Sequence, residues 1–268
     1  MNIQKRNNVQ VQGEGSTTMI FAHGFGCDQH MWRLMAPRFA ERYRVVTFDL
    51  VGAGNSDLNT YEPVKYARLD GYAADLLEIA SEFAHGPAYF VGHSVSAMIG
   101  MLADLKAPGT FAAHLMIGPS PCYINDGEYV GGFEREDIDS LLDTLESNYL
   151  GWASSMAPAI MGTPERPELG QELTASFCRT DPEIAKQFAK TTFLSDHRDD
   201  LARLVTPTLI VQSSDDLIAP TVVGEYMQRM LPNSVLRTVV NSGHCPHLSA
   251  PGPTYDAIED FLAALEQR

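Results

Sequence analysis

Gly92-His93-Ser94-Val95-Ser96 places a serine directly after the apolar run Ala88-Tyr89-Phe90-Val91 and before the apolar stretch Ala97-Met98-Ile99-Gly100-Met101-Leu102. A serine on a tight strand-to-helix turn lifts its hydroxyl above a sheet edge, and the first N–H groups of the helix face developing negative charge. Gly92 suits such a turn; Ser96 stands where glycine is usual, and its side chain is small enough for the same backbone. The hydroxyl attacks a carbonyl only with a base to take its proton and a carboxylate to orient the base. Ser242-Gly243-His244-Cys245-Pro246-His247 offers His244 as that base, and Ser213-Ser214-Asp215-Asp216-Leu217 offers the acid. Asp216 is preferred because it directly precedes Leu217-Ile218, which can anchor the loop; Asp215 is the alternative. In His23-Gly24-Phe25-Gly26 the glycines allow close backbone approach to a ligand, so the N–H of Phe25 pairs with that of Val95 as the expected oxyanion hole.

The other candidates have plainer readings. His244-x-x-His247 has the look of a metal pair, but it lies in a loop containing glycine and proline with no third ligand nearby in sequence, so no metal and no cofactor are expected. His247 is expected to pack or to touch the pocket, His93 to pack behind the serine turn, and His23 to brace the oxyanion loop. Asp49 and Asp57 flank Gly52-Ala53-Gly54 as loop-stabilising groups. Cys27, Cys122, Cys178 and Cys245 form no CxxC pair and are expected to be reduced thiols; Cys27 and Cys245 beside the motifs are expected to pack.

These residues need a rigid frame. Strand-length apolar runs recur at Met19–Ala22, Val45–Phe48, Ala88–Val91, His114–Ile117, Thr208–Val211 and Leu236–Val239, with amphipathic stretches between them. That alternation predicts an α/β protein with a mostly parallel sheet flanked by helices. Leu69, Tyr72, Ala73, Leu76, Leu77, Ala80 and Phe83 recur at three- and four-residue steps, a helix with one buried face. Tyr255, Ile258, Phe261, Leu262 and Leu265 predict a closing helix. From about Pro121 to Asp196 the strand-like runs stop, and helices are expected at 134–149, 151–160, 169–178 and 182–194, punctuated by Pro158, Pro164, Pro167 and Pro182. The expected division is a core of residues 1–120 and 197–268 with a helical cap, 121–196, inserted into it. Serine, acid and histidine in that order, each on a loop after a strand, match the α/β-hydrolase arrangement.

Composition excludes several alternatives. The 268 residues carry 19 Lys and Arg against 34 Asp and Glu, a net charge of −15, with 44% hydrophobic residues. Such a chain buries a substantial core, and its scattered basic residues do not suit a phosphate backbone, so nucleic acid is not an expected partner. No run of about eighteen apolar residues argues for a membrane span, and Met1 to Asn8 lacks the apolar run of a secretion signal; the expected location is the cytoplasm.

Taken together, His23-Gly24-Phe25-Gly26-Cys27-Asp28-Gln29, Gly92-His93-Ser94-Val95-Ser96-Ala97-Met98-Ile99-Gly100, Ser120-Pro121-Cys122-Tyr123, Tyr129-Val130-Gly131-Gly132-Phe133-Glu134 and Gly243-His244-Cys245-Pro246-His247 resemble the RsbQ stress-regulator hydrolases of bacteria. Plant strigolactone and karrikin receptors share that branch, in which serine is common at the position of Ser96. The resemblance spans nearly the whole chain. It implies an α/β-hydrolase fold with Ser94 as nucleophile, Asp216 as acid, His244 as base, and Phe25 and Val95 as oxyanion donors. It also implies four cap helices arranged as a V over a small hydrophobic cavity. Phe25, Phe133, Trp152 and Phe193 are the expected substrate contacts, with Tyr123, Met156, Ile160 and Phe177 also available; about half of the cap residues are expected to face the cavity. The implied activity is hydrolysis of a small hydrophobic ester or lactone, in a stress-regulatory role that works with a PAS-domain phosphatase. A slow-turnover ligand sensor signalling through such a partner is the alternative.

Overall fold

The computed structural model describes residues 2–267. Seven strands form one sheet: β1 (Gln10–Gln12), β2 (Thr18–Ala22), β3 (Arg44–Phe48), β4 (Ala88–His93), β5 (Phe111–Ile117), β6 (Thr208–Asp215) and β7 (Ser234–Ser242). They lie in the order β1-β3-β2-β4-β5-β6-β7. Only β1 runs antiparallel, along β3; every other pairing is parallel. All residues of β2 and β4 are buried, as expected of central strands covered on both faces. Alternate residues divide between two cores: Met19, Phe21 and Val91 pack on one side, Ile20, Ala22 and Phe90 on the other.

Helix α1 (Leu69–Phe83) buries Leu69, Tyr72, Ala73, Leu76 and Ala80 of the expected stripe, with Ile79 beside them, while Leu77 and Phe83 are only partly buried. It stops before His85-Gly86-Pro87, where Gly86 has φ +91° and proline cannot continue a helix. Helix α2 (Val95–Lys106) follows β4 at once and is buried over ten of its twelve residues. The chain ends in α8 (Pro251–Glu266), preceded by α7 (Thr221–Met230) between β6 and β7.

Between β5 and β6 lie α3 (Arg135–Ser147), α4 (Tyr149–Met161), α5 (Pro167–Arg179) and α6 (Pro182–Phe193). Local signals set their ends. Glu134 and Asp137 form a reciprocal capping box on α3, Asn148 caps α4, and Asp181 caps α6 ahead of Pro182. Gly162, left-handed at φ +65°, ends α4. Helix α4 packs on α5, and α3 packs on α6 and α4. Their inward faces join the core that contains Phe21 and Val91, so these helices and the sheet share one apolar interior.

Strand order places the functional loops. The chain leaves β2 for β3 on one side, then crosses to β4 on the other, so the loops following β2 and β4 open side by side, with Ala22 level with Gly92. That reversal is the position where open α/β sheets hold ligands. The loops after β6 and β7 are likewise neighbours, with Asp215 level with Ser242.

Candidate active site

Ser94 sits between β4 and α2 with φ +55° and ψ −124°, one of two non-glycine residues with positive φ among those described. The turn is held rather than relaxed. Its N–H donates to Ile117 at 2.8 Å, and the Ser96 hydroxyl donates to the carbonyl of His23 at 2.5 Å. Ser96 therefore does something glycine cannot: it fastens the serine turn to the loop after β2. His23 is satisfied at both nitrogens, Nδ1 with the Gly24 carbonyl at 2.9 Å and Nε2 accepting the Leu50 N–H at 3.0 Å, so it braces that loop. A Cβ on Gly24 would come within 2.6 Å of His93 Nδ1 and 3.2 Å of Ser94 Cβ, which is why the approach of the two loops requires glycine there.

His244 lies over Ser94. Its Nδ1 is 2.8 Å from Oδ2 of Asp216 and its Nε2 is 2.8 Å from the Ser94 hydroxyl oxygen. With the ring proton on Nδ1, donated to Asp216, Nε2 is left to accept the serine hydroxyl. The structure thus brings Ser94, His244 and Asp216 into one hydrogen-bonded row, all buried. Asp215 is turned outward and accepts the Ser242 hydroxyl at 2.9 Å. Burial pushes the Asp216 carboxyl up, but the neighbouring His244 ring, its hydrogen bond and the N–H groups of Ala219 and Ile218 outweigh this. The group titrates below the usual carboxylate range. The backbone of His244 is tied from the other side, its N–H donating to the carbonyl of Ile160 in the last turn of α4 at 2.8 Å.

The N–H groups of Phe25 and Val95 make no hydrogen bond to any described residue, and Val95 is the first residue of α2. The cavity above Ser94 is lined by Phe25, Tyr123, Ile160, Leu173, Phe177 and Phe193, with Thr192, Ile218, Cys27 and Cys245. Its volume is about 30 Å³, room for two or three waters. A ligand larger than that enters only if the aromatic wall moves. Phe25 is the hub of this wall, its ring 5.5 to 6.1 Å from those of Trp152, Phe177, Phe188 and Phe193. The buried Tyr123 hydroxyl has no hydrogen-bond partner among the described residues, and burial pushes its pKa up to about 12, leaving a neutral donor on the wall.

Of the expected substrate contacts, Phe25 and Phe193 line the cavity. Trp152 stands one layer back, behind Phe25 and Phe177. Phe133 does not reach it: its backbone pairs with Ile124 in a short bridge, and its ring is only partly buried at the edge of the core. Tyr123, Ile160 and Phe177 line it, whereas Met156 does not. Leu173 and Thr192 escaped the sequence reading although the helical period placed them on inward faces; Ile218 had been read only as a loop anchor, and Cys27 and Cys245 as packing. Asp49 is a loop staple, as read, accepting the N–H groups of Gln29 and Asn55.

The sequence matches the model of the alpha/beta hydrolase family over residues 19–257. It is 38% identical over 250 residues to karrikin insensitive 2 receptor CA of Petunia hybrida, covering 93% of each chain. Strigolactone esterase RMS3 of Pisum sativum is 37% identical over 258 residues, with 96% of each chain covered. Among solved structures, a hydrolase from Oleispira antarctica superposes with a TM-score of 0.95 at 42% identity, covering 98% of this chain and 96% of that one. With this fold and these relatives, the chain belongs to the alpha/beta hydrolase family and is a serine hydrolase of that superfamily.

Proposed function

We propose that the protein hydrolyses a small hydrophobic ester or lactone, with Ser94 as nucleophile, His244 as base, Asp216 as its orienting acid, and the N–H groups of Phe25 and Val95 as the oxyanion hole. The observation that carries this reading is the Ser94–His244–Asp216 row ending beneath an apolar cavity beside two free N–H groups. His244 takes the Ser94 proton as the oxygen attacks the carbonyl carbon, and the two N–H groups hold the tetrahedral oxyanion. The proton passes from His244 to the departing alcohol, leaving an acyl group on Ser94. Water, deprotonated by His244, then releases the acid and restores the hydroxyl. Residues 121–196 act as the cap that shields these steps over the core of residues 1–120 and 197–268.

The test is turnover of a short-chain chromogenic ester. Ser94→Ala should lower kcat by at least about 10³-fold while the protein stays folded; undiminished hydrolysis by this variant would remove Ser94 from the mechanism.

A regulatory output is the finer part of the proposal. It is supported by the receptor named among the relatives and by the motif resemblance described above, which also points to a protein partner of the PAS-domain phosphatase type in a cytoplasmic stress response. No helix among the described residues is long and apolar enough to cross a membrane. If the biological role is sensing with slow turnover, product should appear in a burst of about one equivalent per chain followed by a much slower steady rate.

A further inference from the structure

Beside His244, three side chains converge from the end of β4 and from the segment that follows β7. One ring nitrogen each of His93 and His247 and the sulfur of Cys245 lie within 4.8 Å of one another, and all three residues are buried. Neither nitrogen of His247 has a hydrogen-bond partner among the described residues, and Nδ1 of His93 has none. His247 is fully buried and His93 is 2% exposed, so bulk water does not satisfy them. The rings of His93 and His247 are 4.5 Å apart, and Trp32 closes against His247 at 4.7 Å. Packing alone would favour an apolar side chain at position 247 over an imidazole with two idle nitrogens. His93 also carries the outer contact a metal-bound imidazole typically has, its Nε2–H donating to the His244 carbonyl at 2.9 Å.

We propose that His93, Cys245 and His247 form a site for one soft monovalent metal ion of the Cu(I) class, reached through the substrate cavity. Two imidazoles and a thiolate are the donors such an ion prefers, and three suffice for it. Charge decides between candidate ions. On binding, the Cys245 S–H bond breaks, its proton leaves to solvent, and a sulfur–metal bond and two nitrogen–metal bonds form with no change of oxidation state. A thiolate and a monovalent cation are together neutral and can stay buried, whereas a divalent ion would leave a net positive charge in an apolar interior and would seek a fourth donor. Bond lengths of about 2.0–2.3 Å would set the donors about 3.5–3.7 Å apart, so the widest pair closes by about 1 Å. Access exists because His93 and Cys245 both line the cavity above Ser94.

The experiment uses the full chain carrying Cys178→Ser, which removes the one exposed thiol. Reduced and metal-free, it is titrated anaerobically with Cu(I) in competition with a chromophoric Cu(I) chelator. One equivalent should bind, with about one proton released. His247→Asn and Cys245→Ala should each weaken binding at least tenfold while thermal unfolding stays cooperative; if one variant fails to fold, the other carries the comparison. Absence of binding, as a site satisfied only by ordered water would give, overturns the proposal, and so does undiminished affinity in the folded variants.

Discussion

Oδ2 of Asp216 lies 2.8 Å from Nδ1 of His244, while Oδ1 of the same carboxylate accepts the N–H groups of Ile218 and Ala219 at 2.8 and 3.1 Å. The loop thus aims the acid before the acid aims the base. Asp216→Asn keeps the shape but offers the imidazole an amide in place of a full negative charge, and kcat should fall by about 10⁴-fold. Asp215→Asn, altering only a surface contact with Ser242, should change kcat less than about threefold. Steady-state kinetics of the pair decides the assignment, and the reverse ranking would make Asp215 the acid.

Acid tests that carboxylate by another route. Asp216 is held below its ordinary value of 3.8 in the folded protein, so the unfolded chain binds its proton first as pH falls. The stabilisation is fully present above about pH 4 and disappears as pH drops through the depressed folded value. Urea-unfolding midpoints between pH 3 and 6 should fall less steeply at the acid end in Asp216→Asn than in wild type. Parallel profiles would mean that the pairing with His244 contributes nothing to folding.

Phe25 combines two roles that a side-chain deletion separates. Its ring organises four aromatic neighbours, but the proposed catalytic contribution is its backbone N–H. Phe25→Ala should cost about 2–3 kcal/mol of stability, scaled for a ring that is only partly buried, and should raise KM for a hydrophobic ester several-fold while kcat falls far less than in Ser94→Ala. Chemical denaturation and the split of KM against kcat are the readouts; a kcat loss as large as that of Ser94→Ala would contradict the division.

Gly243 precedes the base and has φ +96°, and a Cβ there would lie 2.0 Å from the carbonyl oxygen of Met161. Gly243→Ala must push the His244 loop away from the end of α4. A displacement near 1 Å at the base is worth about 10²-fold in kcat, so activity should drop by that order with cooperative unfolding retained. Kinetics at unchanged far-ultraviolet circular dichroism checks it.

Arg198 joins the segments that lead into α3 and out of α6. Its guanidinium contacts Asp126 at 2.8 Å and Asp196 at 2.6 Å and lies 4.8 Å over the Tyr129 ring. A network with a stacked ring exceeds an isolated surface pair, so Arg198→Ala should lower stability by about 1 kcal/mol and speed amide exchange in 121–134. Exchange unchanged there would show that these segments are held by packing alone.

What could be read from residues follows from distance along the chain. Ser94, Asp216 and His244 were legible because each follows an apolar run of strand length; of the expected helix breaks, Pro167 and Pro182 open α5 and α6, whereas Pro158 lies inside α4. Strand β1 was not, since Gln10, Val11 and Gln12 are all exposed and an edge strand of three residues has no apolar alternation to show. Helix α7 buries only Val223, Gly224 and Met227, too thin a stripe to stand out. Phe133 was misplaced because an aromatic in a glycine-rich segment gives no facing direction without the Ile124 bridge. The contact between His93 and His247 was not legible because only the fold brings these two distant residues together.

The hydrogen bond from His244 to Ile160 makes the roof and the catalytic frame mechanically unequal partners. The arm built from α4 and α5 is bolted to the sheet domain at several points: Ile160 to His244, Arg166 to Ser249, Glu172 to Arg33, and Arg179 to Asp28. Swinging it outward would drag the imidazole off Ser94. The arm built from α3 and α6 is tied to the sheet domain by Gln187 to the Pro63 carbonyl, Thr191 to the Tyr66 carbonyl, and Phe188 packed against Tyr72 and Phe25, contacts that involve none of the side chains of Ser94, His244 and Asp216. The door therefore hangs on its catalytic jamb. Outward movement of the Phe193 side would leave the hydrogen bonds among Ser94, His244 and Asp216 unbroken.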